Sequence, residues 1–158
     1  MDRRHARAPV GERAHCARPY HRGDQINLVG AVSYDGIVCT MSVDDTVNGE
    51  VFLAFVNEFL GPRLLPGDVV VMDNHPAHKM AAVEMAIERC GAQVLFLPPY
   101  SPDLNPIELL WSKLKETIRS FAPKTVRAFN RALEKAIEAI TSGDIHNWFA
   151  HCCWGQRV

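Results

Sequence analysis

Two short, wholly apolar runs constrain the fold of this chain more than any other feature of its sequence. Residues 69–72 and 94–97 contain no polar side chain and do not alternate with polar residues. Between them, apolar residues recur at helical spacing, at Met80, Val83 and Ile87. Continuous apolar strands joined through a helix are typical of parallel strand pairs buried on both faces. We therefore predict a βαβ unit inside an α/β domain.

A β-hairpin is predicted on the amino-terminal side of this unit. The turn sequence Tyr34-Asp35-Gly36 separates two apolar runs, and Asp-Gly between such runs is a strong hairpin signal. Residues 1–25 show no hydrophobic period and contain several Pro and Gly residues, so they are predicted to form a basic amino-terminal arm.

Helices are predicted on both sides of the second apolar strand. The third helix begins with Asn105 as N-cap and Pro106 at the first helical position. The predicted order is ββαβαβαα, which is typical of a mixed sheet with helices on both faces. Apolar residues at helical spacing predict the helices over residues 51–60, 80–90, 106–121 and 126–140.

The composition excludes several classes of protein. The chain has 158 residues, of which 47% are hydrophobic and 22% are charged, as in one ordinary globular domain. No apolar run approaches the ~18 residues of a membrane span, and the first residues lead into arginines rather than a secretory signal. The five cysteines then indicate reduced thiols. We predict a cytoplasmic protein without a membrane partner.

Charge is segregated along the chain. Residues 1–23 hold six arginines and two acids, residues 24–112 hold twelve acidic and three basic side chains, and residues 109–135 hold seven basic and two acidic ones. An acidic middle between basic segments suits a protein that holds cations while it touches a polyanion. Chance segregation on solvated surfaces is an equally good interpretation of charge alone.

Two carboxylates are candidates for chemistry. Asp73 follows an apolar strand, where open α/β sheets present functional groups, and Glu108 lies in the first turn of a later helix, with 34 residues between them. Convergent carboxylates suit Mg²⁺, which prefers oxygen ligands. Each acid also has a structural alternative, because Asp73 can bond the backbone of its own turn and Glu108 can reach back to the N-cap amide. The histidines His75 and His78 are predicted to have loop roles rather than to bind zinc.

The residues around both acids resemble a known family. Residues 69–79, VVVMDNHPAHK, and 97–108, LPPYSPDLNPIE, resemble the catalytic core of mariner-related bacterial transposases, and more narrowly the insertion sequence 630 family. The resemblance implies a ribonuclease H-like fold over residues 26–158. It also implies three carboxylates that bind two Mg²⁺ or Mn²⁺ ions for cleavage and transfer of DNA strands, with transposon ends and target DNA as partners. Asp73 would be the second acid and Glu108 the third.

The chain departs from the family pattern at its amino terminus. In the family the first catalytic Asp lies on the first strand, just upstream of a segment that residues 3–13 resemble. We therefore expect this first strand and its Asp to be missing, as in a truncated or split-frame product. Whether the chain alone is an enzyme stays open. The alternative is an inactive remnant that binds DNA or another transposase chain.

DNA contacts are predicted at two basic regions. Glu108, Lys115 and Arg119 share one face of the predicted helix, which would bring cations beside the scissile phosphate. A merely solvated helix face is an equally good interpretation. The predicted contacts are Arg3, Arg4, Arg7, Lys113, Lys115 and Arg119. A protein bound in this way would be associated with the nucleoid.

Overall fold

The computed structural model describes residues 26–44 and 46–154. The predicted basic arm, residues 1–25, lies outside the described residues. The strands are β1 (Asn27–Ser33), β2 (Gly36–Val43), β3 (Val69–Met72) and β4 (Gln93–Phe96). The helices are α1 (Gly49–Phe55), α2 (Ala81–Arg89), α3 (Pro106–Phe121), α4 (Val126–Glu138) and α5 (Ser142–His151). No helix among these is both long and apolar enough to cross a membrane.

The predicted hairpin is confirmed. Strands β1 and β2 pair antiparallel around a turn at Tyr34 and Asp35, and the ladder shifts register between Ala31 and Val32. The hydroxyl of Ser33 accepts a hydrogen bond from the Asp35 N–H (3.3 Å), which closes the turn. The hairpin thus folds from local signals in the sequence.

The βαβ unit is confirmed, but its predicted burial is wrong. Strands β3 and β4 pair in parallel, with Met72 opposite Phe96, and α2 connects them. Val69 is nevertheless 53% exposed and Leu95 45% exposed. The reason is that β3 and β4 form a two-stranded ladder within the described chain, so neighbouring elements do not cover every side chain on both faces.

The two strand pairs contribute to one core, although no ladder joins them within residues 26–44 and 46–154. Val29 and Cys39 of the hairpin belong to the same buried cluster as Met72 of β3. Helices α1 and α2 complete it with Phe55 and Ile87, which are almost fully buried. After α1 the chain continues as a π-helical turn (Val56–Leu60) and a 3-10 turn (Gly61–Arg63), so Pro62 lies inside a helical segment rather than after it.

A second core forms where α3 and α4 pack together. Leu110 and Leu114 of α3 are fully buried there with Ala136 of α4. Trp111 of α3 is only partly buried and packs beside β1. A Cβ atom at Gly30 would lie 3.0 Å from Cη2 of Trp111 and 3.0 Å from the Cys39 carbonyl oxygen, so a larger residue would require these neighbours to shift by a few tenths of an ångström.

The carboxyl-terminal region contains one more helix than predicted. Helix α4 ends at Glu138, and α5 begins after Thr141 instead of a single helix running to residue 140. Thr141 and Asp144 form a capping box, in which each side chain accepts a hydrogen bond from the other residue's backbone N–H. The Thr-x-x-Asp pattern is visible in the sequence and could have identified this start.

Candidate active site

Asp73 lies directly after β3, at the carboxyl end of the parallel pair. Its Oδ1 accepts a hydrogen bond from the backbone N–H of His75 (2.9 Å), so the turn role considered from the sequence is present. The side chain is 49% exposed. Within the described chain, Oδ2 accepts no hydrogen bond, which leaves one carboxylate oxygen uncommitted.

His78 lies against the same carboxylate. Its Nδ1 is 2.7 Å from Asp73 Oδ1, an ion-pair distance. The direction of the contact does not suit a hydrogen bond, and Nδ1 is buried without a hydrogen-bond partner among the described residues. The ring packs on Phe52 of α1, with centroids 4.2 Å apart. The core thereby fixes the histidine that borders Asp73.

Asn74 ties together the ends of β3 and β4. Its side-chain amide donates a hydrogen bond to the backbone carbonyl of Leu97, 23 residues away. The loop after β3 and the Pro98-Pro99 loop after β4 are therefore held side by side. Sequence reasoning did not identify this role, because an Asn beside a turn does not reveal a partner so far along the chain.

Glu108 lies in the first turn of α3 and is exposed. Asn105 is the N-cap residue, as predicted, and its carbonyl accepts the Glu108 N–H (3.1 Å). The Asn105 side chain makes no cap hydrogen bond. The alternative role for Glu108, a hydrogen bond back to the N-cap amide, is not observed in the described part of the chain, so its carboxylate is also uncommitted.

The two acids line one open cleft. The cleft has a volume of about 460 Å³ and lies between the loop after β3, the loop after β4 and the start of α3. Asp73 and Glu108 therefore border the same cleft, although 34 residues separate them in the sequence. Other residues that line it are Asn74, His75, Lys79, Tyr100, Ser101 and Asn105.

The donors of this cleft suit a hard divalent cation. Carboxylate oxygens are the ligands that Mg²⁺ prefers, and both acids have oxygens that no protein donor occupies in the described residues. A group of three or more His, Cys, Asp or Glu side chains that could hold a metal does not occur in the part of the chain that the structure describes. The described part of the cleft thus offers two carboxylates.

The predicted DNA-contacting residues have different surroundings. Lys115 and Arg119 are exposed on α3, as is Glu108. Lys113 instead forms an ion pair with Asp144 of α5, with Nζ 2.6 Å from Oδ2. Chiefly because Lys113 donates to it, with further donors from Thr141, the pKa of Asp144 falls to about 2. Arg3, Arg4 and Arg7 lie outside the described residues.

The carboxyl-terminal segment supports the loop that precedes Glu108. The indole Nε1 of Trp154 donates a hydrogen bond to the Leu104 carbonyl (2.7 Å), 50 residues earlier in the chain. Cys152 is buried, which raises the pKa of its thiol, and the nearby charges of Cys153 and Asp103 raise it further. Sequence reasoning missed this support, because no local pattern links residue 154 to the loop.

Sequence comparisons relate the chain to transposases. The family of DDE superfamily endonucleases matches residues 1–129. The transposable element Tc1 transposase of Caenorhabditis elegans is 29% identical over 148 residues, which are 89% of this chain and 54% of that protein. The Tcb1 transposase of Caenorhabditis briggsae is 25% identical over 142 residues, which are 85% of this chain and 52% of that protein. The chain spans about half the length of these relatives.

Solved structures with the same fold include those of Mos1 transposase. The paired-end complex with left transposon end matches with a TM-score of 0.73 at 21% identity, over 98% of this chain and 48% of that chain. The catalytic domain of Mos1 mariner transposase matches with a TM-score of 0.64 at 18% identity, over 84% of this chain and 76% of that domain. The predicted ribonuclease H-like α/β fold is confirmed.

The resemblance to mariner-related transposases is likewise confirmed by these matches. Both candidate acids lie inside the matched segment, which covers most of the chain. The chain therefore belongs to the DDE superfamily endonuclease family.

Proposed function

We propose that this chain belongs to the catalytic domain of a DNA transposase, an enzyme that cleaves DNA strands and joins them by in-line phosphoryl transfer. The observation that carries the proposal is the shared cleft of Asp73 and Glu108, two carboxylates without competing donors in the described residues. The transposase relatives support the same activity. Asp73 and Glu108 are proposed as its catalytic metal ligands.

The proposed cofactor is Mg²⁺ or Mn²⁺, with two ions in the complete site. The Mos1 catalytic domain has been solved with Mn and with Mg, which supports the use of such ions by this fold. Divalent ions supply charge neutralisation at a phosphate and activation of an attacking water or 3′-hydroxyl.

The chain's own groups would orient the ligands. The His75 N–H holds one oxygen of Asp73 by a hydrogen bond, the His78 ring borders the same oxygen, and the other oxygen is left for a cation. Glu108 is carried by a helix of sixteen residues, whose start is supported from Trp154. Carboxylates held on anchored elements lose little conformational freedom on binding, which favours a well-defined site.

The proposed partner is DNA, at transposon ends and target sites. Lys115 and Arg119 are exposed on the same helix as Glu108 and are proposed to contact phosphates. Arg3, Arg4 and Arg7 are proposed as further contacts. Lys113 is expected to contribute less, because Asp144 already occupies its ammonium group. A second transposase chain is the proposed protein partner.

A metal-dependent nicking assay tests the proposal. Supercoiled plasmid is incubated with the chain in Mg²⁺ or Mn²⁺, and then in excess chelator. We expect nicking that requires the metal and disappears in Asp73→Ala and Glu108→Gln. The matched control is Glu116→Gln, an exposed acid two helical turns further along α3, which should leave nicking unchanged. Nicking that survives both active-site substitutions would overturn the assignment.

A second candidate function is DNA binding without cleavage. It is favoured by the lack of a third metal-binding side chain beside the two acids in the described residues. In that case the chain would retard DNA in a gel while no metal supports nicking. A preference for RNA–DNA hybrid substrate would instead indicate a general nuclease of the same fold.

A further inference from the structure

We infer that Tyr100 is a stacking platform for an unpaired DNA base at the mouth of the catalytic cleft. This inference deepens the proposed function and depends on it for the identity of the substrate. It concerns recognition of the nucleotide beside the reacting phosphate, not the metal ligands themselves.

The Tyr100 ring is presented to solvent by a constrained backbone. The residue is 102% exposed, whereas the other exposed large hydrophobic residues of the described chain reach at most 67%. Its φ of 59° lies in the left-handed region, which a bulky residue rarely adopts. Pro99 precedes it and Pro102 follows shortly, so the backbone of the loop has little conformational freedom.

The hydroxyl of Ser101 reinforces this conformation by donating a hydrogen bond to the Pro99 carbonyl (3.3 Å). The loop is held at both ends, by the Asn74 hydrogen bond to Leu97 and by the Trp154 hydrogen bond to Leu104. An apolar ring in water has a hydration cost, and here the fold does nothing to reduce it. A ring that the loop backbone carries into solvent in this way is suited to a flat partner that arrives from solution.

The position of the ring indicates a nucleic-acid base as that partner. Tyr100 lines the same cleft as Asp73 and Glu108. The carboxylates of Asp73 and Glu108 outnumber Lys79, the lysine that lines the same cleft, so without a bound cation the charge of the cleft does not favour a phosphate. A neutral aromatic face holds a base without adding charge, and it accepts any base because every base has a π face. A base inside a duplex is already stacked on both sides, so the ligand must be unpaired or flipped out.

A fluorescence titration with a defined oligonucleotide tests the inference. The probe is a DNA duplex with a three-nucleotide 3′ overhang that carries 2-aminopurine, titrated with the full chain in Ca²⁺ instead of Mg²⁺. The wild type and Tyr100→Phe should bind equally and quench the fluorophore. Tyr100→Leu should abolish the quenching and weaken binding about 5- to 150-fold. Binding of the blunt duplex should not change in any variant.

Tyr34→Leu is the matched control, because Tyr34 is another exposed tyrosine but packs on His146, outside the cleft. It should bind the overhang like the wild type. If Tyr100→Leu does not give a cooperative thermal transition, Tyr100→Gly replaces it, since glycine accepts the left-handed φ without strain. Absence of overhang binding by the wild type, or equal binding by Tyr100→Leu, would overturn the inference.

The outcomes separate this inference from the proposed function. Metal-dependent nicking with unchanged overhang binding in Tyr100→Leu would retain the nuclease and reject the stacking role. Tyr100-dependent overhang binding without any nicking would retain the stacking role and reject catalysis by this chain.

Discussion

Asp73 and His78 meet across one turn of chain, with Oδ1 of the carboxylate 2.7 Å from Nδ1 of the imidazole. The same oxygen accepts the N–H of His75, so a hydrogen bond and the His78 ring both lie against a single oxygen of Asp73. The imidazole is in turn fixed by packing on Phe52. Side chains that border a ligand in this manner commonly tune metal affinity, because they set the ligand's orientation.

His78→Leu should therefore weaken metal binding more than folding. Leucine retains the apolar contact with Phe52 but removes the ring nitrogen beside Asp73. We expect the Mn²⁺ dissociation constant, measured by calorimetry, to rise about tenfold. The free energy of unfolding should change by about 1 kcal/mol or less. The control is His151→Leu at the exposed end of α5. Unchanged Mn²⁺ affinity in His78→Leu would contradict a positioning role.

Asp73→Asn separates the turn role of this residue from its proposed role as a metal ligand. The amide oxygen of asparagine can still accept the His75 N–H, while the charge that Asp73 contributes to the cleft is lost. Since two nearby carboxylates repel each other without a cation, apo stability should be unchanged or higher. The rise in melting temperature that Mg²⁺ produces should disappear. Unchanged Mg²⁺ affinity in this variant would reject Asp73 as a ligand.

Asp73→Ala completes that comparison. It removes both the charge and the hydrogen bond to His75, so the turn itself is weakened. We expect a loss of about 1 kcal/mol in the free energy of unfolding relative to Asp73→Asn, measured by urea denaturation. Equal stabilities of the two variants would show that the hydrogen bond contributes nothing measurable to the fold.

The two acids could be predicted from the sequence because their positions follow from local rules. Asp73 follows a strand whose apolar run ends abruptly, and Glu108 follows Asn105-Pro106, a helix start with strong local signals. The order of strands and helices fixes where such element ends meet. Their shared cleft could therefore be anticipated without any knowledge of side-chain contacts.

The supports of the site could not be predicted in the same way. The partners Asn74 and Leu97 are 23 residues apart, and Trp154 and Leu104 are 50 apart. Such pairs depend on how the finished elements pack, and no periodicity encodes them. The burial of Val69 also depended on neighbours that sequence patterns do not specify. Local propensity predicts elements well, but tertiary packing decides what covers them.

The salt dependence of DNA binding should distinguish Lys115 from Lys113. Removing a side chain that binds a phosphate reduces the slope of log affinity against log salt by about one for duplex DNA. Lys115→Met should show this reduction, because its ammonium is exposed. Lys113→Met should leave the slope nearly unchanged, since Asp144 already engages that ammonium group. Equal effects of the two substitutions would mean that the ion pair opens on DNA.

The same ion pair predicts a pH dependence of stability. The pKa of Asp144 falls from 3.8 to about 2 in the fold, chiefly because Lys113 donates to its carboxylate. A lowered folded pKa stabilises the protein above the unfolded value of 3.8, and this contribution is lost as the pH falls towards 2. Urea denaturation should therefore show the wild type more stable than Asp144→Asn near pH 7. A difference that stays constant down to pH 2 would contradict this origin.

Trp154→Phe tests whether the carboxyl-terminal segment helps to shape the catalytic cleft. Phenylalanine keeps an aromatic ring but removes the N–H that bonds Leu104, four residues before Glu108. Because the contact is exposed and water can replace it, the loss in unfolding free energy should be about 1 kcal/mol or less. The start of α3 would nevertheless lose a tether.

We therefore expect the Mn²⁺ dissociation constant of Trp154→Phe to rise about three- to tenfold at nearly unchanged melting temperature. Phe121→Leu is the control, because this exposed aromatic residue lies at the far end of the same helix. The family match ends at residue 129, so an effect of Trp154 would come from a segment beyond the matched region. If the Mn²⁺ dissociation constant of Trp154→Phe instead equals that of the wild type, the loop before Glu108 keeps its position without this hydrogen bond. In that case the Pro residues of the loop restrict its backbone sufficiently.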